Sequence, residues 1–281
     1  MIYIGLIKRI LKIFRQGRRC LRRRAFVIPG FSHVYKVQVG ASSSRIGNEF
    51  LANEARIDQY GFWCNRAVCL KMCTPSGSPV VVGKSYKLDR QATTDEVDRL
   101  MYGLAQDVDA FVSVEFVDWK NSFDRVSLET ALDVLGSKES EFVLASLCGL
   151  KLPVTGAHGD LIDRNIMVSK DGEPKIIDWE FYKPFGSVLT DLLRNHNYRL
   201  KKFHNTDLFD PWFIVRAGVP PALKRGELLS KYTNDISQLG ILNALSNVCT
   251  AEDQKQLIQQ AERFKIRIRE RSDGGRLLLG G

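Results

Sequence analysis

The run His158-Gly159-Asp160-Leu161-Ile162-Asp163-Arg164-Asn165, followed thirteen residues after its asparagine by Asp178-Trp179-Glu180, sets a carboxylate, an amide and a second carboxylate at a spacing suited to phosphoryl transfer. Moving a γ-phosphoryl group requires a metal cation against the charge that develops on the phosphate oxygens. It also requires a carboxylate to orient the acceptor hydroxyl and take its proton. Between the two motifs, residues 166–169, Lys170-Asp171-Gly172-Glu173 and residues 174–177 read as strand, Asp-Gly turn and strand, so the spacing predicts a β-hairpin. A hairpin closes on itself, which brings Asn165 and Asp178 to neighbouring strand ends roughly 5 Å apart. Two hard oxygen ligands there can share Mg²⁺ and leave positions for phosphate and water. Asp160, upstream on the same loop, can face that metal. A lone H-x-D-x₄-N is weak evidence, since it occurs by chance in exposed turns; the hairpin and the aspartate closing it give it weight.

The elements that must position these residues follow from periodicity and punctuation. Phe26-Val27-Ile28-Pro29, then Gly30-Phe31-Ser32-His33-Val34-Tyr35-Lys36-Val37, predict two strands joined by a single-glycine turn. Ile46, Phe50, Glu54 and Ile57 recur at helical spacing on one face, which turns Glu54 inward among apolar neighbours. An inward carboxylate needs a cation. Lys36, eighteen residues earlier, is the first candidate, with Lys71 and Lys84 as alternatives. A strand pair over residues 67–72 and 79–82 brackets the turn Thr74-Pro75-Ser76-Gly77-Ser78, and a hinge is expected after Val82. From Thr93 the chain turns helical, with Val97, Leu100, Met101, Leu104 and Val108 on one stripe, and residues 127–150 continue in that style. Further helices are expected around residues 228–248 and 252–268, followed by a short disordered tail from Ser272-Asp273-Gly274-Gly275.

HGDLIDRN and IIDWE resemble the aminoglycoside phosphotransferase, choline kinase and lipopolysaccharide kinase group, which shares the protein-kinase-like fold. The strong part of the resemblance covers about residues 155–191 and a weaker part covers residues 30–61. It implies an α+β, two-lobed protein-kinase-like architecture with a small β-rich N-lobe and a mostly helical C-lobe. It further implies Asp160 as catalytic base, His158 as the brace of its loop, and Asn165 and Asp178 as the Mg²⁺ ligands. Gly30 and Ser32 before a V-Y-x-V strand look like the nucleotide-covering loop of small-molecule kinases. In kinases a strand lysine paired with a helix glutamate holds the α- and β-phosphates, and the resemblance implies that role for Lys36 and Glu54. Where the group commonly has His-Pro-Gly, this chain has Ile162-Asp163-Arg164, a departure that bears on the substrate and not on the metal.

Charge is concentrated at one end. Residues 1–24 hold nine Lys and Arg and no acid, equal to the net +9 of all 281 residues, so the rest of the chain is formally neutral. Tyr3, Leu6, Ile7, Ile10, Leu11 and Phe14 form an apolar stripe beside the basic one, the pattern of an interfacial helix on anionic lipid. A helix docked on the body is the alternative, and a nucleic-acid arm is unlikely. No run of eighteen apolar residues is present. The six cysteines include no C-x-x-C pair, which argues for reduced thiols and against structural zinc.

These features predict three segments: a basic amphipathic arm at 1–24, an N-lobe at 25–86 and a C-lobe at 87–281. The activity expected is ATP- and Mg²⁺-dependent phosphorylation of a hydroxyl on a non-protein acceptor, by a cytoplasmic protein or one peripheral on the inner face of the membrane. Only twelve residues separate Asp178 from Asp191, no A-P-E follows and there is no G-x-G-x-x-G, which argues against a regulated protein kinase. From 191 to 225, Asp191, Asp207 and Asp210 face Arg194, Arg199, Lys201, Lys202, Arg216, Lys224 and Arg225. Together with the basic arm, that balance favours an anionic acceptor, such as a lipopolysaccharide or surface-glycan sugar, over a polycationic antibiotic. The alternatives are a nucleotide-binding pseudokinase scaffold recruited to membranes and an antibiotic- or choline-type kinase.

Overall fold

The computed structural model describes residues 25–30, 32–39, 62–63, 65–68, 71–72, 80–111, 114–204, 207–251 and 253–278. The chain divides into two compact units, one drawn from Met1–Ala52 and Val68–Lys87, the other from Asn53–Ala67 and Leu88–Gly281.

In the first unit, β1 (Ala25–Pro29) and β2 (His33–Val39) pair antiparallel, with Ala25 opposite Gln38 and Pro29 opposite Val34. The turn between them is tight at Gly30. Its N–H donates to the His33 carbonyl at 2.8 Å, and a Cβ there would lie 2.8 Å from the same oxygen. β3 (Lys71–Met72) and β4 (Val80–Tyr86) complete a sheet of order β1-β2-β4-β3. β4 does not stop at Val82, where the apolar run ends and the hinge was expected. Gly83 to Tyr86 stay paired with β2 from Lys36 back to His33, and the Lys87 N–H donates to the Ser32 carbonyl. The backbone ladder of β2 carries the strand past the point where side-chain character changes.

The second unit is mostly helical. Phe62 to Ala67, counted with the small lobe from sequence, pack here: Trp63 is fully buried, its ring 5.3 Å from that of Trp179, and the Ile176 N–H donates to the Arg66 carbonyl at 2.7 Å. β5 (Arg90–Gln91) leads into α1 (Thr94–Ala110), which begins on a capping box. The Thr93 hydroxyl accepts from the Glu96 N–H, and Glu96 accepts from the Thr93 N–H at 2.8 Å, satisfying two otherwise unpaired donors of the first turn. Arg90 then grips both oxygens of Glu96 at 2.7 Å. The predicted stripe of Val97, Leu100, Met101, Leu104 and Val108 is buried. β6 (Glu115–Asp118) pairs with β7 (Lys151–Val154), and between them Gly136 separates α2 (Arg125–Leu135) from α3 (Ser137–Ser146).

β8 (Ile166–Val168) and β9 (Pro174–Ile176) form the predicted hairpin, with Ile166 opposite Ile176 and Val168 opposite Pro174. β5 lies on the other side of β8. Five helices follow: α4 (Val188–His204), the short α5 (Phe213–Ala217) and α6 (Glu227–Ser230), α7 (Ile236–Val248) and α8 (Gln254–Leu278). The backbone of α8 stays helical through Ser272 to Leu278, where the sequence predicted a disordered tail. Two consecutive glycines lower helix propensity by about 1 kcal/mol each, and the roughly five turns already formed upstream from Gln254 carry the helix past them. Leu239, Leu242, Leu245 and Val248 of α7 and Leu257, Ala261, Phe264 and Ile268 of α8 are buried, and α8 packs on α2 and α7. Among the described residues, no helix is long and apolar enough to cross a membrane.

Candidate active site

The loop from His158 to Asn165 connects β7 to β8 in the second unit, and most of it is buried: His158, Leu161 and Asn165 are almost inaccessible, and the Asp160 side chain is 13% exposed. Gly159 makes this path possible. Its φ is +81°, and an added Cβ would stand 2.3 Å from the Phe181 carbonyl oxygen.

His158 braces the loop through both ring nitrogens. Nε2 lies 2.9 Å from the Ile177 carbonyl, which can only accept, so Nε2 carries the proton. Nδ1 then accepts from the Asp160 N–H at 3.1 Å. The neutral ring satisfies both contacts, and burial pushes its pKa down to about 4. The ring also packs on Trp179 at 4.6 Å. The histidine two residues before the candidate base is thereby tied to the residue before Asp178.

A second brace comes from α4, and the sequence reading assigned no role to it. Asp191 accepts from the His158 N–H at 2.6 Å and from the Gly159 N–H at 2.9 Å, so each of its oxygens holds one loop amide. Burial pushes its carboxyl up to about 7, against two donors that favour the ionised form. One turn further, Arg194 donates to Asp160 Oδ1 at 2.8 Å. Asn195 donates to Asp163 Oδ1 at 3.2 Å, and the Arg199 guanidinium lies 4.0 Å from Asp163 Oδ2. Residues 191, 194 and 195 share one face of a helix by their spacing of three and four. Leu189, Leu192 and Leu193 are buried on the same helix, so this polar face also points into the unit.

The hairpin brings the proposed metal ligands together, since the Ile177 N–H donates to the Asn165 carbonyl at 2.9 Å and Asp178 follows directly. Among the described residues Asp178 is the one non-glycine with positive φ, at +68° with ψ +59°. That left-handed conformation is uncommon outside glycine, and strain of this kind collects at functional sites. The Asn165 amide nitrogen donates to the Asp160 carbonyl at 2.7 Å and to Asp160 Oδ2 at 3.2 Å, which turns its amide oxygen away as a hard donor. An amide oxygen and a carboxylate at adjoining strand ends fit Mg²⁺ chemistry.

The cations from 191 to 225 are less available than their number suggests. Arg199 pairs with Asp98, Arg216 pairs with Asp210, and Arg225 lies over the Tyr102 ring. Asp207 is taken by Arg263 and Arg267 of α8. Arg194 is the member of that set that reaches Asp160. Arg164, 67% exposed, stands 3.5 Å from the other Asp160 oxygen.

Gly30 and Ser32 occupy the β1–β2 turn of the first unit, with Ser32 Oγ 2.8 Å from His33 Nδ1. Lys36 lies in β2 opposite Gly83, and Lys84 of β4 is opposite both Tyr35 and Lys71. Glu54 and the helix expected around it, and the arm at 1–24, lie outside the described residues.

No family model matches the sequence, and the comparison with curated proteins found no match. Solved structures do resemble the chain. They include the GDP complex of wild-type aminoglycoside 2'-phosphotransferase-IIIa, 16% identical with a TM-score of 0.49, covering 87% of this chain and 90% of that one. Choline kinase LicA from Streptococcus pneumoniae is 13% identical with a TM-score of 0.44, over 88% of this chain and 90% of that one. An ethanolamine kinase from Plasmodium vivax is 11% identical with a TM-score of 0.46, over 87% and 81%.

Proposed function

We propose that the protein is an ATP- and Mg²⁺-dependent phosphotransferase acting on a hydroxyl of a non-protein acceptor. The observation that carries this reading is the doubly braced loop. Asp160 is held by His158 and α4 at one end of a segment whose other end, Asn165, is joined through the hairpin to Asp178. In this reading Asp160 is the base: it accepts the hydroxyl proton as the acceptor oxygen approaches the γ-phosphorus. His158 is a positioning residue, neutral and unable to compete for that proton. Asn165 and Asp178 hold Mg²⁺, which when bound neutralises charge on the β- and γ-phosphates. Gly30, Ser32, Lys36 and Glu54 are assigned to the nucleotide, with Lys71 and Lys84 as the other lysine candidates.

The acceptor we favour is anionic, a lipopolysaccharide or surface-glycan sugar, because the candidate base carries two arginines within 3.5 Å. Residues 1–24 would bring the enzyme to an anionic membrane surface, on the cytoplasmic side. The test is transfer of labelled phosphate from ATP to a panel of hydroxyl compounds spanning sugar acids, sugar phosphates, choline and aminoglycosides. Asp160→Asn should lower kcat by about 10² or more, the scale of a positioned general base, with nucleotide affinity retained. Full turnover by Asp160→Asn would remove the proposed base.

A further inference from the structure

We propose that a cavity walled by α1, α4 and the turn Pro221–Lys224 is a subsite for the acceptor, seating one uncharged, polyhydroxylated ring against the loop that carries Asp160. This rests on the phosphotransferase reading and deepens it: the acceptor is recognised through a carbohydrate ring and not through charge alone.

The cavity has a volume of about 280 Å³. That is near the lower bound of small-molecule sites, which suits one ring and not a chain of them. Met101, Leu192, Leu200 and Pro221 give it apolar walls, while Asp98, Tyr102, Asn195, His196 and Arg199 supply the polar groups. An apolar site with a few convergent polar groups is the usual make-up of a ligand pocket. Two of these side chains join it to the loop. Asn195 donates to Asp163 Oδ1 at 3.2 Å, and Arg199 Nε stands 4.0 Å from Asp163 Oδ2. Asp163 is three residues after Asp160, so their Cα atoms are at most about 11 Å apart. A ligand in the cavity therefore lies against the side chains that hold the same loop segment as the candidate base.

The lining groups are each half engaged. Arg199 Nη1 donates to Asp98 Oδ1, which leaves Arg199 Nη2 as a donor and Asp98 Oδ2 as an acceptor with no partner among the described residues. His196 Nε2 lies 3.2 Å from the Gly218 carbonyl, so Nε2 carries the proton and Nδ1 is left as an acceptor. Burial pushes the pKa of this ring down, which keeps it neutral. Asn195 gives its amide nitrogen to Asp163, and its Oδ1 accepts from no described residue. The lining thus offers a guanidinium donor among three acceptors. A hydroxyl both donates and accepts, so neighbouring hydroxyls on one ring can satisfy such a mixed set together. Asp98 and Arg199 cancel in charge, and an ammonium or a phosphate drawn to one of them is repelled by the other. Tyr102, which carries the Arg225 guanidinium 5.4 Å from its ring centroid, adds aromatic surface.

The experiment measures binding of methyl α-glucopyranoside, methyl α-galactopyranoside, N-acetylglucosamine and myo-inositol to the MgADP-loaded full-length protein by calorimetry. Phosphate transfer from ATP is then followed to the same four compounds and to glycerol and choline. Expected are saturable binding of one or more ring compounds and a kcat/KM for them about tenfold or more above that for glycerol or choline, on the scale of one hydrogen bond to a charged group. Tyr102→Ala and Arg199→Met should each weaken ring binding about tenfold and raise KM to match, with MgADP affinity kept and near-UV circular dichroism establishing the fold; Tyr102→Phe should retain both. Should Arg199→Met not fold, Tyr102→Ala carries the test. Binding of none of the four rings, undiminished ring binding by Tyr102→Ala, or a preference for glycerol or choline over every ring would overturn the proposal. So would a fall in kcat at unchanged KM, which would make these residues supports of the loop alone. Ring binding that depends on Tyr102, without transfer to any acceptor, would leave the subsite standing and remove the phosphotransferase reading instead.

Discussion

Arg194 donates to Asp160 Oδ1 at 2.8 Å while its other terminal nitrogen donates to Asn247 and Thr250, so the candidate base is tied to the C-terminal end of α7 through a single guanidinium. Asn247 is in turn oriented by its own donation to the Leu208 carbonyl at 3.0 Å. The Asp160 carboxylate is thus placed by tertiary contacts as well as by its own loop.

Replacing Arg194 with Met should expose that dependence. Removing one partner of a largely buried ion pair costs about 3–5 kcal/mol, and the carboxylate loses its fixed direction. We expect a lower melting temperature and a fall in kcat, with MgATP affinity kept. Arg194→Lys should recover part of the kcat, since a point charge restores the pairing but not the anchoring to Asn247 and Thr250. A variant with wild-type kcat would show that Asp160 needs no such placement.

The metal assignment is tested by Asp178→Ala. Loss of the carboxylate should weaken nucleotide binding in the presence of Mg²⁺ and leave the metal-free affinity nearly unchanged. Calorimetry with and without magnesium reads the difference. An unchanged Mg²⁺ dependence would place the metal elsewhere.

Two buried groups give opposite slopes of stability against pH. His158 titrates near 4 when folded, below its unfolded value of 6.5, so its contribution is complete above 6.5 and is lost as pH falls towards 4. The full effect is on the order of 3 kcal/mol. Asp191 titrates near 7 when folded against 3.8 unfolded, so its contribution is complete below 3.8 and is lost as pH rises towards 7. In the wild type these slopes oppose each other between pH 4 and 6.5. Urea midpoints should therefore fall with rising pH in His158→Gln and fall with decreasing pH in Asp191→Asn. Slopes of the same sign in both variants would contradict these titrations.

Deleting residues 1–24 should abolish sedimentation with anionic liposomes and leave turnover on a soluble acceptor unchanged. Each Lys or Arg near such a surface contributes about 1 kcal/mol, and the segment holds nine. Binding should weaken steeply with salt. Ile7→Glu with Leu11→Glu should release the full-length chain as well, because a helix that inserts its apolar face cannot carry charge there. A deletion that unfolds the remainder would identify the segment as a docked helix instead.

Local rules were enough for part of this protein. The β8–β9 hairpin follows from strand-forming runs around an Asp-Gly turn, α1 from its apolar stripe after Thr93, and the adjacency of Asn165 and Asp178 from the hairpin alone. Each involves residues a few positions apart, so short-range propensity and periodicity carry the information. The continuation of β4 beyond Val82 was not legible, because backbone pairing with β2 and not side-chain character decides it. The roles of Asp191 and Arg194 were not legible either. They act on a loop about thirty residues earlier, and a charged residue in a helix reads as solvated unless the packing of that helix is known. Sequence spacing set out which groups could do the chemistry; the folding of α4 and α7 against the loop decided which charges surround Asp160, because Coulomb interactions depend on distance through space and not along the chain.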